Sequence, residues 1–241
     1  MRALLTQLRL PLDPTPESAG RTLTIDGRPY AVLIARHRRA RRYVLRLASD
    51  DTVRLTVPRG ACIAAGLRFV ERQGAWIARE RRRRRDRAEP WRDGTTLWYR
   101  GERVILQVGA TEVAWGGATL AAPAEPAGLR EAVEAHLAAL AKAELPPRAR
   151  ELADEHGLAV ARVSVRNQRS RWGACSSRGV ITLNWRLIQM PASVSDYVIL
   201  HELMHLRQAN HSRRFWREVD AVCGWWREAE RWLKRHGRDV I

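Results

Sequence analysis

The chain lacks the long apolar runs and the paired cysteines that would mark a membrane protein or a disulfide-stabilised one. No stretch of about 18 or more apolar residues occurs among its 241 residues, so the sequence predicts no membrane span and no membrane partner. Its three cysteines, Cys62, Cys175 and Cys223, are far apart and form no CxxC pair. This spacing excludes a cysteine-rich zinc site and argues against a disulfide framework. The proline-containing N-terminus does not read as a secretory signal, so we expect a cytoplasmic protein with a loose tail over residues 1–20.

Lysine is nearly absent, because only Lys142 and Lys234 occur, and arginine carries the formal net charge of +17. A field of this strength attracts polyanions, and nucleic acid bound non-specifically through an arginine-rich surface is therefore an expected partner. The same composition also fits a GC-rich coding bias, and no helix-turn-helix or zinc-finger pattern supports base readout. The run RERRRRRDR, residues 79–87, is interpreted first as a solvated helix end and second as a polyanion contact.

Hydrophobic periodicity in the first half of the chain is that of strands. Apolar and polar residues alternate around three turn signals, at residues 26–27, 49–51 and 100–102, and this pattern predicts antiparallel β hairpins. Between them, residues 61–87 show helical spacing, which predicts one helix. The segment WGGATLAAPAEPAG, residues 115–128, is rich in Gly, Ala and Pro and predicts a linker.

The second half of the chain predicts helices around a small sheet. A long helix is expected over residues 129–156, broken or kinked at Pro146-Pro147. Two alternating segments, residues 160–166 and 179–185, predict strands, and a helix should follow from about residue 194 to 208.

These patterns together predict an α+β fold in two parts. An N-terminal β-rich subdomain with one helix should occupy residues 21–127, and a catalytic domain should occupy residues 128–241.

The stretch HELMHLRQANH, residues 201–211, has the spacing of a metal site with a catalytic base. His201 and His205 are four residues apart, so on a helix both imidazoles project from one face, where each can approach a shared zinc ion to about 2.0–2.1 Å. Glu202 is rotated by about 100° from His201 and points beside the metal. That position suits a general base acting on water rather than a ligand.

A catalytic zinc ion takes a third protein ligand, for which the sequence offers two candidates. His211 follows the expected helix end and can return to the metal through a turn, whereas Glu218 lies on the next helix. We favour His211, because imidazole suits zinc and the spacing allows a tight return. Cys175 is not expected as a fourth ligand, since it would close the position that water needs.

Residues 163–216 resemble the YgjP-like metallopeptidase-domain family, relatives of the SprT-like proteases. The matching text is VRNQRSRWGACSSRGVITLNWRLIQMP and VSDYVILHELMHLRQANHSRRFW, and RRARRYVLRLASDDTVRLTVPRGA is also similar. Ala174 replaces the serine usual after R-W-G. The resemblance implies a zinc-dependent hydrolase with a zincin-like helical domain and a small sheet packed on the HExxH active-site helix. It implies His201, His205 and His211 as ligands of one zinc ion and Glu202 as the catalytic acid/base.

The function that we expect is that of a zinc metallohydrolase, most simply a metalloendopeptidase acting on peptide or protein substrates. Candidates for binding substrate or stabilising the transition state are Arg171, Asn184, Arg186 and Tyr197. Strand 179–185 is a candidate edge for pairing with an extended peptide. Two alternatives stay open: hydrolysis of nucleotide phosphoanhydrides, and a basic nucleic-acid-associated protein with a structural metal site.

Overall fold

The computed structural model describes residues 21–49, 51–168 and 170–240, without the side chains of residues 86–88, so the tail expected over residues 1–20 lies outside it. The described chain divides into two compact units, residues 21–89 and residues 90–240, each with a hydrophobic core of its own. This division falls nearly 40 residues before the boundary that the sequence predicted at residue 127. No helix of the described chain is both long and apolar enough to cross a membrane.

The fold is mixed α+β with several small sheets, as the sequence predicts. Within the described residues the strands are β1 (Arg21–Ile25), β2 (Arg28–His37), β3 (Val44–Ser49), β4 (Thr52–Pro58), β5 (Thr96–Tyr99), β6 (Glu102–Ile105), β7 (Gln107–Val108), β8 (Glu112–Trp115), β9 (Ala118–Ala121), β10 (Arg162–Arg166), β11 (Gly173–Cys175) and β12 (Val180–Asn184). The α-helices are α1 (Ile63–Glu71), α2 (Gly74–Ala88), α3 (Leu129–Glu155), α4 (Ala192–Met204), α5 (Arg213–Val222) and α6 (Trp226–His236).

The unit formed by residues 21–89 is a four-stranded sheet packed on two helices. Its strand order is β1-β2-β4-β3, in which β2 and β4 are parallel and the other pairs are antiparallel hairpins. The hairpin turn predicted at Asp26-Gly27 is confirmed, and both residues have positive φ. The prediction of a single helix over residues 61–87 is wrong, because the backbone leaves helical geometry at Gln73 and separates α1 from α2.

The unit formed by residues 90–240 begins with hairpins that the sequence assigned to the other subdomain. Strands β5 and β6 form the predicted hairpin around residues 100–101, and β7, β8 and β9 form a three-stranded sheet. Residues 115 and 118–121 of the segment predicted as a linker are thus in strands. Gly116 and Gly117 have positive φ and make the turn between β8 and β9, and Trp115 is buried in this unit's core.

Helix α3 spans 27 residues and runs without a break through Pro146-Pro147, contrary to the prediction. Its buried residues recur at helical spacing on both sides of the two prolines, as Ala141 and Leu145 before them and Ala149 and Leu152 after them show. Packing of this stripe against the core therefore outweighs the loss of two backbone donors.

The sheet that lies beside the candidate site has the order β10-β12-β11. Strand β12 is central, since it pairs in parallel with β10 and antiparallel with β11. The prediction that residues 179–185 form an edge strand is therefore wrong. The edge that packs against α4 is β11.

Helix α4 is anchored from two sides. Asp196 accepts two hydrogen bonds from the Arg148 guanidinium of α3, at 3.0 and 2.7 Å. The short 3-10 helix Trp185–Gln189 precedes α4, and the buried Gln189 side chain donates to the backbone carbonyl of Trp98 on β5 at 2.9 Å. A packed framework therefore fixes the position of the helix that carries His201 and Glu202.

Candidate metal centre

Helix α4 carries two of the three histidines. It ends at Met204, four residues earlier than the sequence predicted, and His205 is its C-cap residue. His205 still has helical backbone angles, and the turn after it is tightened by a bond from its amide to the Glu202 carbonyl at 3.2 Å. The rings of His201 and His205 therefore stay on one face, with centroids 5.1 Å apart.

His211 reaches the same place through a turn that side chains hold. The Asn210 side-chain oxygen accepts from the Ser212 amide at 3.1 Å, and the Ser212 hydroxyl caps α5 by accepting from the Phe215 amide at 3.4 Å. As a result, Nε2 of His211 lies 3.1 Å from Nε2 of His201. The ligand atoms of His201, His205 and His211 all lie within 4.8 Å of one another.

Glu218, the competing third ligand, has a different partner. Its carboxylate accepts from the Arg207 guanidinium at 3.1 Å, and it is not part of the histidine cluster. Between the two candidates that the sequence offered, the structure brings His211 to the other histidines.

The donor set fits a small divalent cation. Two nitrogens that share a tetrahedral zinc ion would lie about 3.3 Å apart, close to the His201–His211 separation of 3.1 Å. His205 Nδ1 lies 3.0 Å from the Gln208 carbonyl, which orients the ring and leaves its Nε2 for a ligand. Burial, and then the neighbouring His205 and His211, hold the pKa of His201 below its usual value, which favours the neutral imidazole that metals bind.

An aromatic floor beneath the cluster was missed by the sequence reasoning. Phe215 on α5 is fully buried, and its ring centroid lies 4.9, 4.5 and 4.9 Å from those of His201, His205 and His211. The Trp216 ring approaches two of the histidines to about 6 Å. No signal in the sequence pointed to it, because the spacing from the cap residue Ser212 does not specify which residues the Phe215 ring contacts.

Glu202 is buried beside the cluster, against the backbone of β11. Only 5% of the residue is exposed, and a methyl group on Gly173 would lie 2.5 Å from Cγ of Glu202, so this close approach requires glycine. Burial raises the pKa of Glu202 to about 8, although the positive charge of Arg171 and a hydrogen bond with the Cys175 backbone oppose the rise. The carboxyl group is thus one that can take up and release a proton near neutrality.

The four residues predicted to bind substrate or stabilise the transition state, of which Arg171 is the first, have different surroundings. Arg171 is half-buried, and its charge acts on Glu202. Tyr197 is fully buried instead, with its ring 5.9 Å from that of His201, and its hydroxyl has no partner among the described residues. Burial raises the pKa of Tyr197. Its role towards substrate stays a prediction, and its position is that of a core tyrosine in contact with His201.

Asn184 and Arg186 support the loop between β10 and β11. The buried Asn184 amide donates to the carbonyls of Gln168 and Arg171 at 2.8 and 3.0 Å, and its oxygen accepts from the Arg186 amide at 3.2 Å. The Arg186 guanidinium lies 4.5 Å above the Trp185 ring and donates to another residue of the loop. Asn184 therefore holds the Arg171 backbone in place, and its role towards substrate stays a prediction.

Three imidazoles converging beside a buried carboxylate define the centre of a metal-dependent hydrolase. The family model of the YgjP-like metallopeptidase domain matches residues 41–236, so the chain belongs to that family, and the predicted resemblance is confirmed. Among solved structures, a similar chain is the metallopeptidase zymogen abylysin of Pyrococcus abyssi, with 26% identity and a TM-score of 0.34. The match covers 39% of this chain and 97% of that one. A search of curated proteins gives no significant match.

Proposed function

We propose that the protein is a zinc metallopeptidase that cleaves internal peptide bonds, with a zincin-like arrangement of its HExxH helix. The observation that carries the proposal is the cluster of three histidine ligand atoms within 4.8 Å, beside the buried Glu202. His201, His205 and His211 would hold the ion, since three imidazoles suit zinc and leave a fourth position open. The ion would supply Lewis-acid activation of water and of the substrate carbonyl.

Glu202 is proposed as the general base. Its carboxylate takes the proton of the attacking water and passes it to the leaving amine. The Gly173 backbone and the Cys175 hydrogen bond hold the carboxylate in place. Arg171, whose charge already reaches this carboxylate, is the proposed stabiliser of negative charge on the substrate oxygen.

Strand β11 is the proposed platform for the substrate backbone. It lies at the edge of its sheet, and it packs against α4 through the contact between Gly173 and Glu202. An extended peptide that adds to this edge would pass directly beside the Glu202 carboxylate. This geometry favours a polypeptide substrate over a nucleoside triphosphate, because a sheet edge offers backbone donors and acceptors to an extended chain.

A substrate panel tests the proposal. Purified wild-type protein and Glu202→Gln are incubated with zinc and either a denatured protein, a mixed peptide library or nucleoside triphosphates. Products are read by mass spectrometry. New peptide termini with the wild type only are expected. Phosphate release from the triphosphates that requires Glu202, without peptide cleavage, would replace the peptidase by the alternative hydrolase, and equal cleavage by both proteins would remove Glu202 from its role.

A further inference from the structure

The positive charge of the chain is concentrated in the unit that lacks the histidine cluster. Residues 21–89 contain 19 arginines, no lysine and seven acidic residues, a net charge of +12. Residues 90–241 contain 22 basic and 17 acidic residues, a net charge of only +5 over more than twice the length. A coding bias would enrich arginine in both units alike, so the concentration calls for a reason within residues 21–89.

Two arginines of helix α2 form hydrogen bonds within their own unit. Arg81 donates to the Tyr30 hydroxyl at 3.3 Å, and Arg84 donates to the carbonyls of Leu47 and Ala48 at the end of β3. These two side chains tie the helix to the sheet. Neither arginine can bind another molecule without breaking its contact between the helix and the sheet.

Three other arginines of α2 face away from the sheet. Arg79, Arg82 and Arg85 are exposed and recur every third residue, so they lie along one side of the helix over about 9 Å. We call these three residues the arginine ridge. Each strand of a duplex carries one charge per about 3.4 Å of axis, so the ridge has the length to reach two or three phosphates.

The side chains of the arginine ridge and their neighbours favour phosphate groups of nucleic acid over a membrane surface. All its charges are guanidinium groups, whose planar fork of donors matches phosphate oxygens. The remaining described residues on this side of α2 are the small Ala75 and Ala78, and no large apolar side chain is there to enter a bilayer. Two of the unit's acidic groups are already paired, Asp51 with Arg28 at 2.6 Å and Glu80 with Arg83 at 3.5 Å.

We propose that the arginine ridge on α2 binds the phosphate backbone of nucleic acid, without reading its sequence. The binding itself does not depend on the proposed peptidase activity, and it is measured without it.

Salt-dependent binding to a labelled duplex of about 20 base pairs, followed by fluorescence anisotropy between about 50 and 200 mM salt, tests the proposal. The full chain is compared with Arg79→Gln/Arg82→Gln/Arg85→Gln. The matched control, Arg150→Gln/Arg162→Gln/Arg178→Gln, removes the same charge from exposed arginines of the other unit. A third variant replaces the ridge by lysines, which keeps the charge.

The ridge-to-glutamine variant should bind at least about tenfold more weakly at low salt, and the slope of log K against log salt should fall by about two to three. The control should lose less than half as much, the lysine variant should keep most of the slope, and two unrelated duplex sequences should bind alike. Equal losses in both glutamine variants would overturn the proposal. Tighter binding to phosphatidylserine vesicles or polyglutamate than to the duplex, or no salt-dependent duplex binding by the wild type, would do so too.

Discussion

The two units of the chain differ in where their ionisable groups lie. In residues 21–89 most charged groups are arginines of a small sheet-and-helix unit, engaged in hydrogen bonds near the surface or exposed. In residues 90–240 the groups that matter are buried, because His201 and Glu202 are almost inaccessible and have pKa values displaced by burial. Exposed charges act at long range and are screened by salt, whereas buried ones act on what they touch.

The arginine-rich composition and the HExxH motif therefore describe different regions of the chain. Residues 21–89 carry +12 of the net charge of +17, which therefore says little about the metal centre. The HExxH motif describes α4 and says nothing about the arginine ridge. If the units are independent in function, variants of one should leave the other's readout unchanged.

The largest expected effect is on metal content. His201→Ala removes the most buried of the three imidazoles, so the purified protein should lose its one equivalent of zinc, measured by elemental analysis after dialysis. Duplex binding should stay within about twofold of the wild type, since the ridge is untouched. His156→Ala, at the C-cap of α3, is the control and should keep the metal. Metal retained at full occupancy in His201→Ala would break the assignment of this histidine.

The second largest effect distinguishes the proposed general base from the proposed metal ligands. Glu202→Gln keeps the size of the side chain but removes its ability to take a proton, so kcat for peptide cleavage should fall by roughly 10²- to 10⁴-fold with zinc retained. Glu218→Gln, which disturbs only a half-exposed ion pair with Arg207, should be near wild type. Loss of zinc in Glu202→Gln would instead point to a ligand role.

A smaller effect is expected from a change that leaves every functional group in place. In Gly173→Ala the new methyl group would overlap Cγ of Glu202, so the carboxylate must shift. We expect kcat to fall by about 10²-fold, the cost of a misplacement of roughly 1 Å, with zinc content unchanged. Ala174→Ser, one residue along β11, restores the family's usual residue and should have little effect.

The smallest effect should come from the aromatic floor. Phe215→Leu and Val219→Ala both reduce fully buried side chains of α5, and each should lower the free energy of unfolding by about 1–3 kcal/mol. Only Phe215 contacts the histidine rings, so only its replacement should weaken zinc binding, by about tenfold in competition with a chelator. An equal effect of both variants on zinc affinity would show that Phe215 acts through stability alone.

The elements that local patterns specify were predictable from the sequence. Turn residues such as Asp26-Gly27 and the cap residue Ser212 act through their own backbone and neighbours, so the hairpins and the turn to His211 were expected. The convergence of the three histidines followed from helix geometry and one short return.

What depends on distant packing was not predictable. Strand β12 became central because β10, from before the loop, pairs with it, and α3 runs through two prolines because its buried stripe continues beyond them. The roles of Phe215 and Gly173 cannot be read from their residue types, since each role arises from a contact with another element of the fold. Tyr197 shares a face with His201 on α4, but the sequence could not tell that this position is buried.

X-ray absorption spectroscopy of the zinc-loaded wild type tests the central claim most directly. We expect the metal to be coordinated by about three imidazole nitrogens and one further light ligand at about 2.0–2.1 Å, with no sulfur. A sulfur scatterer at about 2.3 Å would place Cys175 or another thiolate on the metal, and fewer than three imidazoles would remove His211 or one of its partners, contradicting the three-histidine centre.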